Sequence, residues 1–220
     1  MSPQQARPFL DPQGPKPTPA GVLDLREPIP PEIRSFGYLP DVRQCKPGDL
    51  ILFSAVEPAL FSKAIIGAQA DGGYSEFDAA WHHVAVFVGG YEICEAQNGK
   101  VRISPIFDYV GSHRILVRRD VSLDDETRSR IMADAIKQLQ KPYGWLAALR
   151  LGIQSRFGFW QRNEVRASQH AAICSQLYAD AYTRVTNKLL ILGKLGTPMP
   201  AGLSLTAALK DVSVDWLKIS

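Results

Sequence analysis

Two short segments carry the side chains needed for thiol chemistry. The run Trp81-His82-His83-Val84-Ala85-Val86-Phe87-Val88-Gly89-Gly90 sets two imidazoles at the head of a β-branched stretch, and Ile173-Cys174-Ser175-Gln176-Leu177-Tyr178 sets a thiol in a helix-like stripe. A thiol attacks a carbonyl effectively as the thiolate, which a nearby imidazole or a helix N-terminus favours. Strand alternation puts His83, Ala85 and Phe87 on one face and His82, Val84 and Val86 on the other. If the Cys174 helix packs on the His83 face, small Ala85 permits close approach, which favours His83 over His82 as the base. Glu95 falls on the neighbouring strand if Gly89-Gly90 turns a hairpin. Its carboxylate would then hold the ring's tautomer and stabilise the imidazolium. Glu92 competes for that role, but alternation puts it on the opposite face.

Each of these residues also has an ordinary reading. A strand His or Glu is commonly structural, and free cysteine is among the most buried residue types. Cys94, beside Glu95, and Cys45, before the first turn, lack a comparable setting and read as structural. Tyr143, in Lys141-Pro142-Tyr143-Gly144-Trp145, either donates its phenol toward a developing oxyanion or packs on the sheet as a helix-capping aromatic.

The elements that must position these groups follow from periodicity. Residues 1–41 are proline-rich and aperiodic, a tail draped over the domain or left mobile. The folded domain is expected over 42–220. Lys46-Pro47-Gly48-Asp49 reads as a turn feeding the strand Leu50-Ile51-Leu52-Phe53, and a loop through Asp71-Gly72-Gly73 leads to the histidine strand. Tyr91–Ala96, Val101–Ile103 and Arg114–Arg119 continue an antiparallel meander, with Gly89-Gly90 and Asn98-Gly99 as hairpin signals. Ser122 followed by Asp125 opens a capped helix with Ile131, Ala135 and Leu139 on one stripe, and Lys141-Pro142 ends it. A second helix is expected over 143–151. Ile173, Leu177, Ala181 and Val185 form another stripe, so Cys174 is expected at the start of the last major helix. The apolar residues from Lys188 to Ile219 are expected to pack back onto the domain.

Composition narrows the class. At 220 residues and 45% hydrophobic content the chain suits one sizeable core. Its net charge of +3, from 25 basic and 22 acidic residues, comes without a basic stripe, so no nucleic-acid partner is expected. Three cysteines without a C-x-x-C pair suggest neither a disulfide framework nor a zinc site, and no metal or organic cofactor is expected. With no apolar N-terminal leader and no run of about 20 apolar residues, the chain reads as soluble and cytoplasmic, without stable membrane insertion. Export without a cleaved signal would satisfy the same features.

Gly48-Asp49-Leu50-Ile51, His83-Val84-Ala85-Val86, Glu95-Ala96, Pro142-Tyr143 and Cys174-Ser175-Gln176-Leu177 together resemble the NlpC/P60 superfamily of papain-like cysteine peptidases and amidases. In its ordinary members the cysteine segment comes first. Here it comes last, as in the circularly permuted group similar to the YaeF/YiiX-like hydrolases and, more distantly, to lecithin retinol acyltransferase. The resemblance spans about residues 42–210, including Thr197-Pro198 to Ser204-Leu205. It implies Cys174 as nucleophile, His83 as general base, Glu95 as the orienting residue and Tyr143 near the oxyanion site. Ala85 replaces the glycine common after His-Val, and the acyltransferase branch's Asn-Cys-Glu-His motif is absent.

The expectation is therefore an α+β, papain-like, circularly permuted fold, with an antiparallel meander packed on helices and the cysteine at a helix N-terminus. The expected function is a cysteine hydrolase that cleaves an amide or ester in a peptide or lipid-like acyl substrate through an acyl-enzyme. A cluster of Trp145, Leu149, Phe157, Phe159 and Trp160 would line an apolar cleft or fill the core. The alternative is a non-catalytic peptide- or lipid-binding module on the same fold.

Overall fold

The computed structural model describes residues 7–16, 22–23, 29–97, 100–140, 162–190 and 198–219. The chain forms an α+β fold around a six-stranded antiparallel sheet. Its strands are β3 (Leu50–Ala55), β4 (His83–Gly89), β5 (Glu92–Gln97), β6 (Lys100–Pro105), β7 (His113–Arg119) and β8 (Lys210–Val212), in the spatial order β6-β5-β4-β3-β7-β8. A smaller sheet joins β1 (Val22–Leu23), β9 (Trp216–Ile219) and β2 (Tyr38–Pro40), with β9 in the middle.

Two cores lie on opposite faces of the large sheet. Leu50, Leu52, Val84, Val86, Cys94, Ala96 and Leu116 face one way and pack on α4 (Asp125–Ile136) and α5 (Arg162–Thr186). Ile51, Phe53, Ala85, Phe87, Ile93, Ile115 and Val117 face the other way, toward the small sheet and the N-terminal segment. Burial on both faces explains why β3 is an unbroken apolar run rather than an alternating one.

The proline-rich N-terminal segment is built into this second core. Leu10 exchanges both backbone hydrogen bonds with Ile115, at 2.8 and 3.0 Å. The helix α1 (Pro31–Phe36) buries Ile33, and β2 pairs with β9. Residues ahead of 42 and the last residues of the chain thus share one small sheet, so the body of the fold does not begin at 42.

Two turn motifs have clear structural reasons. Gly48 has φ +86°, and a Cβ there would lie 2.2 Å from the Arg128 carbonyl oxygen, so only glycine lets α4 pack this closely. Asp49, fully buried, accepts from the Lys46 backbone N–H at 2.8 Å and from Arg119 at 2.7 and 2.8 Å.

Several expectations need correction. Between β3 and β4 the chain forms α2 (Leu60–Asp71) and α3 (Glu76–Ala79) rather than a loop. The stripe Phe61, Ile65, Gln69 on α2 is helical, and buried Gln69 satisfies its whole amide through Ala79 O, Trp81 O and Ala201 N, each at 2.8 Å. The cap of α4 is Asp124, which accepts from Thr127 N at 2.7 Å, whereas Ser122 turns back to Asp120. The described C-terminal residues do pack back onto the domain, as expected: α6 (Pro200–Leu205) is almost wholly buried and β8 joins the large sheet. Among the described residues, no helix is long and apolar enough to cross a membrane.

Candidate active site

At the end of the large sheet where β4 starts and β5 stops, Phe61, Ser62, Ile65, His82, His83, Ala96, Gln97, Tyr109, His113 and Cys174 line a cleft of about 310 Å³. β4 and β5 run antiparallel with Ala85 opposite Glu95, so His83 and Glu95 are diagonal neighbours on one face. His83 Nε2 meets Glu95 Oε2 at 2.6 Å.

Glu95 is fully buried, and the carboxylate is surrounded by donors. Oε1 accepts from Ser104 Oγ at 2.5 Å and from Arg102 through Nε at 2.9 Å and Nη2 at 2.8 Å. Oε2 accepts from the phenol of Tyr109 as well as from His83. Burial alone would raise the carboxyl pKa, but the hydrogen bonds from His83, Ser104 and Tyr109 and the charge of His83 outweigh it and hold the pKa at about 2. Glu95 is therefore a fixed anion. Tyr109 also packs the ring that it helps to anchor, stacking on Phe53 at 3.9 Å and on His83 at 5.6 Å between centroids. Burial pushes its own pKa upward, so it stays a proton donor.

His83 is hydrogen-bonded on its other side to Cys174. With Nε2 committed to Glu95, the ring nitrogen left for the thiol is Nδ1. Burial works to lower the imidazole pKa, but the hydrogen bonds to Cys174 and Glu95 and their charges together raise it from 6.5 to about 9. The ring is thus held as imidazolium beside the Glu95 carboxylate near neutral pH.

The other two cleft histidines are held neutral. His82 is pushed to about 3 by burial and by the nearby His113 and His83, and its Nε2 accepts from the Ala55 N–H at 2.9 Å. It takes the place of a ladder partner at the end of β3. His113 is lowered to about 4 by burial and by His83.

Cys174 reaches this site by a different route from the one expected. α5 packs on the Val84 and Val86 face, not on the His83 and Ala85 face. The thiol and imidazole therefore meet at the end of β4, where His83 is the first residue of the strand. Nor does Cys174 open its helix. α5 starts at Arg162, because the run Arg162–Ile173 contains three alanines and neither glycine nor proline to stop a helix. At the thirteenth residue of α5 the macrodipole contributes little and the backbone N–H groups are rungs of the helix ladder. Among the described residues, His83 is the group in hydrogen-bond contact with the thiol that could activate it.

Cys94 faces the α5 core and Cys45 lies by the first turn. Burial pushes both thiols up to about 12, which suits inert structural positions. Tyr143, the helix expected over 143–151, the aromatic cluster of 145–160 and the Asn98-Gly99 turn lie outside the described residues. Sequence reasoning missed Arg102, Ser104, Tyr109, Gln97, His113 and the α2 wall. Among the described residues no cluster of His, Cys, Asp and Glu could hold a metal ion. No protein-family model, curated protein or solved structure matches the chain.

Proposed function

We propose that the protein is a cysteine hydrolase of the permuted, papain-like NlpC/P60 type, cleaving an amide or ester of a peptide or acyl substrate. The observation that carries this reading is the single imidazole of His83, joined on one side to buried, ionised Glu95 and on the other to Cys174. In the reaction the Cys174 sulfur bonds to the carbonyl carbon and the carbonyl π pair moves onto oxygen. As the tetrahedral intermediate collapses, the bond to the leaving group breaks and His83 Nδ1–H protonates the departing amine or alkoxide. His83, now neutral, takes a proton from water, which attacks the thioester. The sulfur leaves as thiolate, and the acid product and the starting ion pair remain. Glu95 stays ionised throughout, since its donors stabilise the anion, and it stabilises the imidazolium.

A second reading, a non-catalytic module holding a peptide or lipid in the cleft, is favoured by the burial of Cys174, which is 2% exposed. One measurement separates the two: the rate of iodoacetamide alkylation of Cys174 against pH, followed by mass spectrometry, in the parent and in His83→Ala. The hydrolase reading expects fast alkylation well below the free-thiol pKa of about 8.5, lost in His83→Ala. A thiol of ordinary or no reactivity, unchanged in His83→Ala, supports the binding module. In a substrate panel Cys174→Ala should then fold normally and lose turnover by about 10³-fold or more.

A further inference from the structure

The hydrolase reading leaves one chemical requirement unmet: a donor for the oxyanion that forms when the thiolate adds to a carbonyl. A cysteine at a helix start would use its own backbone N–H, but that of Cys174 is spent within α5. Among the described residues the donor must come from the cleft wall, which can be searched residue by residue.

Tyr109 donates its only O–H proton to Glu95. The His83 Nδ1 proton is reserved for the leaving group. His82 accepts at Nε2 from the Ala55 N–H, so its one ring proton sits on Nδ1, which bonds to the residue's own backbone carbonyl. His113 is settled by a short chain. Ser112 Oγ donates to the Tyr109 carbonyl at 3.3 Å and so must accept from His113 Nδ1–H at 2.8 Å, leaving a lone pair rather than a proton on Nε2. Phe61, Ile65 and Ala96 have no polar side chain. Of the described lining residues, Ser62 and Gln97 remain.

Gln97 ends β5, two residues beyond Glu95 on the same face of the strand, at the same end of the sheet as His83. Its amide is oriented by the triad's own support, with Nε2 donating to the Tyr109 hydroxyl at 3.4 Å. That long bond uses one of two N–H protons and leaves the other for a ligand in the cleft. Ser62 lies on α2, a separate wall with no such tie to the triad. Resting on the hydrolase reading, we propose that the Gln97 carboxamide is a side-chain donor of the oxyanion site, a catalytic role beyond the Cys174, His83 and Glu95 constellation.

The test sets two reactions of one thiol against each other. Iodoacetamide reacts at a saturated carbon, expelling iodide without forming an oxyanion. With p-nitrophenyl acetate the sulfur adds to the carbonyl, the π pair moves to oxygen, and p-nitrophenolate leaves as the acetyl thioester forms. Gln97→Ala should alkylate with the parental pH profile yet acetylate about 10²–10³-fold more slowly, a loss typical of one oxyanion donor. Gln97→Glu, of the same size but presenting a carboxylate, should lose at least as much. Acetylation at the parental rate in Gln97→Ala, or a loss seen in Ser62→Ala instead, overturns the assignment. A parent that alkylates but never acetylates overturns the hydrolase reading itself.

Discussion

Among the described residues, two of the clusters of buried charge look alike in outline. In one, Arg118 donates to Leu203 O at 2.7 Å, Thr206 O at 3.1 Å, Leu209 O at 2.5 Å and Asp211 at 2.8 Å. Arg7 completes it, gripping Asp211 through two bonds of 2.7 Å and reaching Asp78 and Ser204. In the other, Glu95 is held by His83, Arg102, Ser104 and Tyr109. The first cluster spends the Arg118 guanidinium on backbone carbonyls of α6 and the segment after it, and ties that segment and the stretch around Arg7 to the sheet. The second leaves one imidazole nitrogen over, and that nitrogen meets a thiol at a cleft. Buried charge alone marks structure as readily as chemistry. A group with bonding capacity left over, at a cavity, is what separates the candidate site from the lock.

That contrast is broken most severely at Arg118. Arg118→Met takes the guanidinium from three carbonyls, of which Thr206 O keeps the Leu209 N–H, and removes a cation from Asp211, so a loss of about 3–5 kcal/mol is expected in urea unfolding. The surviving folded protein should keep the parental alkylation profile of Cys174. A profile that moved with Arg118→Met would show that the two clusters are coupled.

Glu95→Gln sharpens the contrast from the other side. The imidazolium loses its counter-charge and the His83 pKa falls, so the thiolate–imidazolium pair loses ground to the neutral thiol–imidazole pair by about tenfold per unit, and alkylation near neutral pH should slow by about 10–100-fold. Stability against pH tests the same change. His83 is raised from 6.5 to about 9, so its contribution is fully present below 6.5 and is lost as pH rises through about 9. Glu95 is lowered from 4.5 to about 2, so its contribution is present above 4.5 and is lost as pH falls through about 2. The parent should show both slopes. Glu95→Gln should lose the acid slope and weaken the alkaline one, and two unchanged slopes would refute the assigned ion pair.

Much of this site is legible in the chain itself. Alternation through His83 and Glu95 with a Gly89-Gly90 turn between them is a local pattern, and it puts the ring and the carboxylate on one face before any tertiary contact is known. The start of α5 is not legible in the same way, because a helix boundary needs a stop signal and Arg162–Ile173 has none. The face on which α5 packs is equally hidden, since both faces of β4 are apolar. The donors to Glu95 arrive from β6 and from the turn Ile106–Tyr109, and Ser104 and Arg102 become neighbours of Glu95 only through the β5–β6 register. The α2 wall does carry a signal, the Phe61, Ile65, Gln69 spacing, which the glycine-rich turn after it obscures.

The smallest expected effect separates two roles of Tyr109. Tyr109→Phe keeps the ring that stacks on Phe53 and His83 but removes one donor from Glu95, and urea unfolding should show a loss of about 1–2 kcal/mol. With fewer bonds favouring the anion, Glu95 should titrate at higher pH, and the acid slope should begin earlier. Alkylation of Cys174 should slow only a few-fold, because His83, Arg102 and Ser104 still hold the carboxylate. The same substitution also removes the hydroxyl that orients Gln97. Acetylation by p-nitrophenyl acetate should therefore slow more than alkylation does, whereas equal slowing of the two would mean that Tyr109 acts on the thiol–imidazole pair alone and that Gln97 needs no support from it.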